Sequence, residues 1–232
     1  MDPSNPTVGS PTSQTYEHRP FHEQGSATAT AAVKALAQLS PSSSHNASFD
    51  PYEVNSGETL HLLDAFFSFQ KWSGLLLFPK GAFIGWVRGC RHKQEDELML
   101  LNAVLALGSS FSAVPFGSSF AKLCAEHASR THCRLVGKFT LTLVQTRLIL
   151  SWYHLLQGDN GIALDVAGSA RHAASALNLH TEQGCSIERL RAGRERQHDF
   201  GFSALQIVEC KRRTLWAVFC YGVRLLVNVM VL

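Results

Sequence analysis

The chain has 232 residues, of which 45% are hydrophobic and 17% are charged, and its formal net charge is +3. This length suits one ordinary domain, alone or with a tail. The low charged fraction argues against a mainly disordered protein, and so small a net charge does not by itself indicate nucleic-acid binding. Composition therefore excludes several classes of protein and leaves the function open.

The cysteines are scattered along the chain, at Cys90, Cys124, Cys133, Cys185, Cys210 and Cys220. No two of them have the C-x-x-C spacing of a zinc ribbon or a thioredoxin-type site, and they are too sparse for a disulfide scaffold. The N-terminus has neither a basic segment nor the apolar run of a secretory signal. We therefore expect no signal peptide and a reducing compartment, either the cytosol or the nucleus.

Residues 1–57 differ in composition from the rest of the chain. This segment holds six of the eight prolines and only four of the 22 aromatic residues. Such Ser/Pro-rich sequence cannot bury enough apolar surface to offset the entropy lost on ordering. We predict a disordered tail over residues 1–57.

Apolar residues at helical spacing predict several helices after the tail. The first begins at Thr59 as its N-cap, and Pro79 with Gly81 is expected to break the chain after it. Further helices are predicted over residues 95–107 and from residue 117 onward. None of these segments has the sustained β-branched alternation of a strand.

The clearest pattern is a pair of helices joined by a tight turn. Residues 143–157 form an amphipathic pattern that Thr140 or Thr142 can cap, and the Gly-Asp-Asn-Gly sequence at 158–161 is typical of a turn. Alanines line residues 162–177, and side chains this small let two helices approach closely. We predict an all-α, helical-hairpin bundle.

A polar, Arg-rich connection over residues 182–203 leads into the final helix, and we interpret it as solvated. In that helix, Glu209 and Arg213 have the i,i+4 spacing of an ion pair, which would leave Lys211 and Arg212 on the solvent face. The alternative is a basic patch for nucleic acid or an acidic partner. Nucleic-acid contact would need interleaved aromatic residues and a longer basic stripe, so the structural interpretation is favoured.

The chain ends in an apolar run of 18 residues, 215–232, within a final helix predicted to begin near Ala204. This is nearly the length of a membrane span. Arg224 lies in the middle of the run and would cost about 2.5–3.5 kcal/mol at the centre of a bilayer, and Asn228 adds to that cost. We therefore do not expect a membrane anchor.

Common catalytic motifs are missing: the sequence has no G-x-G-x-x-G, no Walker-type loop, no G-x-S-x-G and no H-E-x-x-H. The residue types of zinc ligands occur together only at Cys124, His127, His132 and Cys133. On a helix at about 100° per residue, Cys124 and Cys133 point to opposite faces, so only Cys124 and His127 share one. We expect a buried cysteine beside partly exposed histidine and no bound metal.

Short segments spread along the chain resemble a known family when they are taken together. Two upstream segments read HLLDAFF at 61–67 and LNAVLALG at 101–108. The hairpin and the final helix add the signature residues Gln145, Gly158, Gly168, Leu179, His180, Glu209, Arg212, Arg213 and Trp216. In this order, over about residues 59–221, they resemble the fungal-specific transcription factor domain, the middle homology region of fungal binuclear zinc cluster regulators.

The resemblance implies an all-helical regulatory region of a nuclear transcription factor, not an enzyme. Its partners would be proteins of the transcription machinery or a homodimer partner. In family members a six-cysteine zinc cluster precedes this region and binds DNA, but residues 1–57 contain no cysteine. We therefore expect this chain to hold no zinc cofactor and to reach DNA only through a cluster that it does not contain.

The resemblance also divides the chain into the tail, a partial regulatory domain over residues 58–221, and an atypical apolar end over residues 222–232. In the family the domain usually continues well beyond this point. We therefore expect an incomplete domain, from a truncated chain or an incompletely spliced gene model, that lacks the part which would cover Trp216 and Phe219.

Two other classes of function remain open. A free-standing α-helical protein-interaction module with no DNA-binding role would suit the hairpin, although no repeat of about 34 residues supports it. An enzyme with a cleft between helices would use His154 or His172. The sequence shows no set of nucleophile, base and orienting residue for that chemistry, so the enzyme ranks last.

Overall fold

The computed structural model describes residues 49–73, 75–112, 117–135, 137–187 and 200–230. Within these ranges the chain forms eight α-helices and one short 3₁₀ helix, with no β-strand. The helices are α1 Pro51–Val54, α2 Ser56–Ser73, α3 Lys80–Gly89, α4 Glu95–Ser109, α5 Gly117–Arg134, α6 Leu141–Gln157, α7 Asn160–Ala176 and α8 Ala204–Met230, and the 3₁₀ helix is Gln183–Cys185. The predicted all-α class is confirmed.

Helix α4 is the centre of the fold. Every residue from Glu97 to Gly108 is buried, and helices α2, α5 and α6 pack against it. A helix that is apolar around its whole circumference is stable only when other elements surround it. A Cβ atom at Gly108 would overlap the carbonyl oxygen of Leu62, so α2 crosses α4 at backbone contact distance.

Helices α6 and α7 form the predicted helical hairpin. The Thr140 hydroxyl caps α6 by accepting a hydrogen bond from the Leu143 N–H at 3.1 Å. Gly158 ends α6 in the left-handed conformation, with φ 86°. The Ser151 hydroxyl donates to the carbonyl of Ala163 across the hairpin at 2.8 Å. Four alanines of α7 are buried, as close packing of small residues requires: Ala163, Ala170, Ala173 and Ala174.

Helix α3 was not predicted, because Pro79 and Gly81 were expected to break the chain. Pro79 instead occupies the N-cap position of α3, where its missing N–H has no helical partner to lose. Phe83 and Val87, four residues apart, are buried on one face of the helix. The predicted break is present between α2 and α3, but the helix that follows it was missed, because a proline that stops one helix can also start the next.

The folded part of the chain begins earlier than predicted. Helix α2 starts at Ser56 rather than Thr59, and its first turn is capped by Asn55, whose side-chain oxygen accepts from the Glu58 N–H at 3.1 Å. The Thr59 hydroxyl instead donates to the carbonyl of Pro51 at 2.9 Å, which fastens α1 to α2. Residues 49–57 therefore belong to the fold, and the rest of the predicted tail, residues 1–48, lies outside the described residues.

A buried ion pair ties this N-terminal segment to the loop before α4. The Lys93 ammonium donates to the Asp50 carboxylate at 2.7 Å, and the two side chains are 1% and 9% exposed. It also donates to the carbonyl of Cys90 at 2.8 Å. The rings of Tyr52 and Trp86 lie 5.6 and 5.7 Å from the ammonium, at cation–π range.

Helix α8 starts at the predicted residue, Ala204, and packs against α6, α7 and the 3₁₀ helix. It runs on to Met230, so residues 222–230 of the predicted apolar end continue the helix. None of the described helices is both long enough and apolar enough to cross a membrane. Most of the Arg-rich connection, residues 188–199, lies outside the described residues.

Candidate functional site

A row of exposed side chains follows the outer face of helix α8. Leu205, Trp216 and Phe219 are 70%, 66% and 63% exposed, and Glu209 and Arg212 are exposed between them. At about 100° per residue, these five positions fall within an arc of about 80°. We call this set the α8 stripe. Trp216 and Phe219 are the two residues that a longer family domain was expected to cover, and no described segment of this chain covers them. Large apolar side chains exposed together are typical of interaction surfaces.

The opposite face of α8 holds the helix in the core. Its buried residues are Ile207, Val208, Cys210, Lys211, Thr214, Val218 and Tyr221. Gln145 of α6 donates from its side-chain amide to the Thr214 hydroxyl at 3.0 Å in the buried interface. The stripe is therefore presented on a helix that the core holds by its other side.

The charges at residues 209–213 are arranged differently from the prediction in one respect. The Arg213 Nε donates to the Glu209 carboxylate at 2.7 Å, which confirms the predicted i,i+4 pair. Both groups are about half exposed, so the pair contributes only about 0.3–0.5 kcal/mol. Lys211 was expected on the solvent face, but it is 1% exposed and its ammonium donates to the carbonyl of Gly184 at 3.3 Å. The helical phase places position 211 toward the 3₁₀ helix, which supplies that carbonyl.

A groove of about 240 Å³ lies along one side of the stripe. Leu76, Trp152, Arg213 and Tyr221 are among its lining residues, together with Trp216 of the stripe. The rings of Trp152 and Tyr221 lie 4.6 Å apart. The groove thus gives the stripe an aromatic floor and one cationic edge, a combination that suits a partner with apolar side chains.

Tyr221 in this groove has a structural role. Its hydroxyl and that of Ser151 are hydrogen-bonded at 3.0 Å. Burial raises the pKa of Tyr221 to about 12, although the Ser151 hydrogen bond acts in the opposite direction. The phenol is therefore neutral at physiological pH, and it joins α8 to α6 rather than acting as a base.

A second groove, of about 480 Å³, follows the outer side of α2. Trp72, which is 89% exposed, lies at its edge. Phe69 stacks on Phe111 with ring centroids 4.1 Å apart and contacts Trp152 at 5.6 Å. A continuous row of aromatic rings therefore connects this groove to the one beside α8.

The signature residues from the sequence do not form a single site. Gln145, Gly158 and Leu179 support the scaffold: the first links α6 to α8, the second ends α6, and the third is buried just after α7. Asn178, with φ 55°, turns the chain there. Glu209, Arg212 and Trp216 all lie on the α8 stripe, and Arg213 lies at its edge.

Two signature residues do not have the surroundings that their types suggested. Gly168 is exposed, and a Cβ atom at this position would have no neighbour within 4 Å, so the hairpin does not depend on a glycine there. His180 follows the C-terminal end of α7, where a histidine can bind the last carbonyls of a helix. It is exposed, and the backbone N–H groups of Asn178 and Leu179 bind the last carbonyls of the helix instead.

The Cys–His cluster on α5 is part of the packing. Cys124 is buried and His127 is half-buried, as predicted, while the His132 ring lies 3.7 Å from the Cys133 sulfur. Burial raises the pKa of Cys124 and lowers the pKa values of His127 and His132, which favours the neutral forms. Among the described residues, no group of three or more His, Cys, Asp or Glu side chains is placed to hold a metal ion.

The two histidines considered for catalysis make ordinary contacts. His154 lies 3.5 Å from the exposed carboxylate of Asp159 at the hairpin turn. His172 packs edge-on against Phe139 at 5.6 Å. Neither contact pairs a base with a nucleophile.

Comparison with known proteins agrees with this structure. The family model described as the fungal specific transcription factor domain matches residues 63–228, which run from α2 into α8 and make up well over half of the chain. No curated protein and no solved structure matches the chain. The matched family is a regulatory domain of transcription factors and not a family of enzymes. The helical scaffold that carries the α8 stripe therefore belongs to the fungal specific transcription factor domain family.

Proposed function

We propose that this chain is the regulatory region of a fungal transcription factor, that it works in the nucleus, and that it binds protein partners through the α8 stripe. Family membership supports the transcriptional role. The stripe supports the mode of action, because regulatory domains of this kind act by contact with other proteins. Neither a cofactor nor direct contact with DNA is needed for this role.

The observation that carries the proposal is the exposure of Trp216 and Phe219 side by side on α8. Their rings lie 6.3 Å apart at an interplanar angle of 87°. Tryptophan and arginine are enriched among the residues that dominate binding energy at interfaces, where truncation of one such residue costs about 2 kcal/mol or more. Arg212 and Arg213 lie next to this aromatic pair.

The charges of α8 favour a protein partner over DNA. Lys211 is buried, and Arg213 is paired with Glu209. A protein that binds DNA gains affinity from several cations aligned along one face. In relatives, DNA would be bound by the separate zinc cluster, with its zinc, and the present region would regulate.

A reporter assay tests the proposal. The chain is fused to an unrelated DNA-binding domain in a fungal host, and transcription is measured from a promoter that carries the matching operator. We expect the fusion to change transcription and the double variant Trp216→Ala/Phe219→Ala to lose most of that change, because both anchors are removed. Trp72→Ala is the matched control, since it removes from α2 a tryptophan that is even more exposed than Trp216.

Two outcomes would contradict the proposal. One is a fusion that enters the nucleus and leaves transcription unchanged. The other is a double variant that retains the full effect although its circular dichroism spectrum and melting temperature match those of the wild type. A tagged chain that stays in the cytoplasm within a defined complex would instead support the free-standing interaction module.

A further inference from the structure

We propose that the α8 stripe is self-complementary and that two copies of this chain pair through it, with their α8 helices antiparallel. The inference rests on the proposed function for the identification of the stripe as the docking surface. It goes further by naming the partner as a second copy and by giving the register of the contact.

The order of side chains along the stripe carries the argument. From the N-terminal end it reads apolar, acidic, basic, apolar, at Leu205, Glu209, Arg212 and Trp216. Read in the opposite direction it is apolar, basic, acidic, apolar. An antiparallel second copy therefore presents a base to each acid and an apolar residue to each apolar residue.

The spacing of these residues allows all of the contacts in a single register. A two-fold axis midway between Glu209 and Arg212 places Glu209 opposite Arg212 of the second copy and Leu205 opposite Trp216 of the second copy. The two pairs have the same midpoint along the helix, between residues 210 and 211, so a single two-fold axis relates both. With a rise of about 1.5 Å per residue, Leu205 and Trp216 lie about 16 Å apart along the helix in each copy. This is an isologous interface, the kind that closes a dimer.

Other arrangements of two α8 helices are less favourable. A parallel pair in register places Glu209 beside Glu209 and Arg212 beside Arg212, and like charges in contact are destabilising. An antiparallel pair shifted by four residues places either Glu209 against Trp216 or Arg212 against Leu205, depending on the direction of the shift. Charge complementarity thus selects the antiparallel register.

The intramolecular pair of Glu209 does not prevent this contact. Arg213 Nε binds one oxygen of the Glu209 carboxylate, Oε1. A carboxylate has two oxygens with about four acceptor sites, so it can accept a second guanidinium from the other copy. Phe219, one turn beyond Trp216, would extend the apolar contact past the first turn of the opposing helix.

The size of the stripe predicts a weak dimer. Two aromatic side chains and a leucine, each about two-thirds exposed, would bury on the order of 400 Å² per copy. The total of about 800 Å² is half of a standard interface, so we expect dissociation in the micromolar range or weaker.

Sedimentation velocity of the full chain, from about 1 to 200 µM, spans that range. We expect the mass to rise with concentration from 25.5 kDa toward twice that value. Glu209→Arg places arginine opposite arginine, and Arg212→Glu places glutamate opposite glutamate, so each single variant should stay monomeric. The double variant Glu209→Arg/Arg212→Glu restores the complementary order and should dimerise again.

The decisive measurement mixes the two single variants. The Glu209→Arg copy carries arginine at both central positions of the stripe, and the Arg212→Glu copy carries glutamate at both. In an antiparallel heterodimer, each arginine of the first copy would face a glutamate of the second. We therefore expect two monomeric variants to form a heterodimer when they are combined. Thermal melting of each variant checks that it is folded, because Glu209→Arg also removes the pair with Arg213.

Three results would overturn the inference: a wild type that stays monomeric at the highest concentration, single variants that dimerise like the wild type, or folded single variants that do not pair when mixed. The proposed function fails separately. A monomeric wild type whose reporter effect still depends on Trp216 would overturn self-pairing and leave the regulatory role intact. A wild type that dimerises but has no reporter effect would overturn the regulatory role and leave self-pairing intact.

Discussion

Replacement of Asp50 by alanine tests how much the buried ion pair at the start of the fold contributes to stability. Lys93 is 1% exposed, and besides this carboxylate its ammonium contacts the carbonyl of Cys90 and the faces of Tyr52 and Trp86. Removal of the carboxylate leaves a buried ammonium without its paired anion. A buried ammonium without an anion is costly. We therefore expect Asp50→Ala to lower the free energy of unfolding more than a variant that removes both charges.

The magnitude follows from two losses. Removal of one partner from a buried ion pair costs about 3–5 kcal/mol. Asp50 also caps α1, accepting from the Tyr52 N–H at 2.9 Å, and loss of a cap costs about 1 kcal/mol. A total of about 4–6 kcal/mol corresponds to a fall in melting temperature of about 8–24 °C for a domain of this size. The double variant Asp50→Ala/Lys93→Met removes both charges and should recover about 2 kcal/mol or more of the loss.

Urea denaturation followed by circular dichroism measures these free energies of unfolding. Asp64→Ala is the matched control, because Asp64 pairs with Lys80 at the surface, where the side chains are 66% and 52% exposed; we expect a loss below about 1 kcal/mol. The reasoning is refuted if Asp50→Ala costs no more than Asp64→Ala. It is also refuted if the losses of unfolding free energy in Asp50→Ala and in Lys93→Met sum to the loss in the double variant within about 0.5 kcal/mol, since uncoupled sites behave that way.

Two further predictions concern the centre of the fold and its response to acid. Gly108→Ala should lower the free energy of unfolding by about 1–3 kcal/mol, because the new Cβ overlaps the Leu62 carbonyl. Gly85→Ala, in open space on α3, should raise the free energy of unfolding by about 0.5–1 kcal/mol. Equal effects of the two variants in urea titrations would contradict the assigned packing. Burial lowers the pKa of His127 below 6.5, so as pH falls from about 7.5 to 5.5 the unfolded chain takes up the proton first and stability decreases. His127→Gln should flatten this decrease and His180→Gln, at an exposed position, should not; an unchanged pH profile in His127→Gln would contradict the role of burial.

The sequence predicted the hairpin well because its signals are local. Thr140 and Gly158 mark the ends of α6 through hydrogen bonds and a backbone angle that involve only a few neighbouring residues. Helix α3 was missed because a proline such as Pro79 is compatible both with the end of one helix and with the start of the next. The burial of Phe83 and Val87 against the core decides between them.

The candidate site was only partly predictable. Four large apolar residues of the final helix are Leu205, Val208, Trp216 and Phe219, but the sequence does not show which of them face the core. In the structure Val208 is buried and the other three are exposed. The helical pattern of α8 is apolar on more than one side, so periodicity alone does not choose the inner face.

What the sequence determined by itself is the helical class, the helical hairpin with its turn, the start of the final helix and the pair between Glu209 and Arg213, since all of these depend on residues within about one helical turn or on a repeat of about 3.6 residues. What only the tertiary structure decided is the direction in which each helix faces. Lys211 shows the reason: its partner is the carbonyl of Gly184, 27 residues away. The same docking of α8 against α6 and α7 turns the stripe outward, because the buried residues of α8 lie on the side of the helix opposite the stripe.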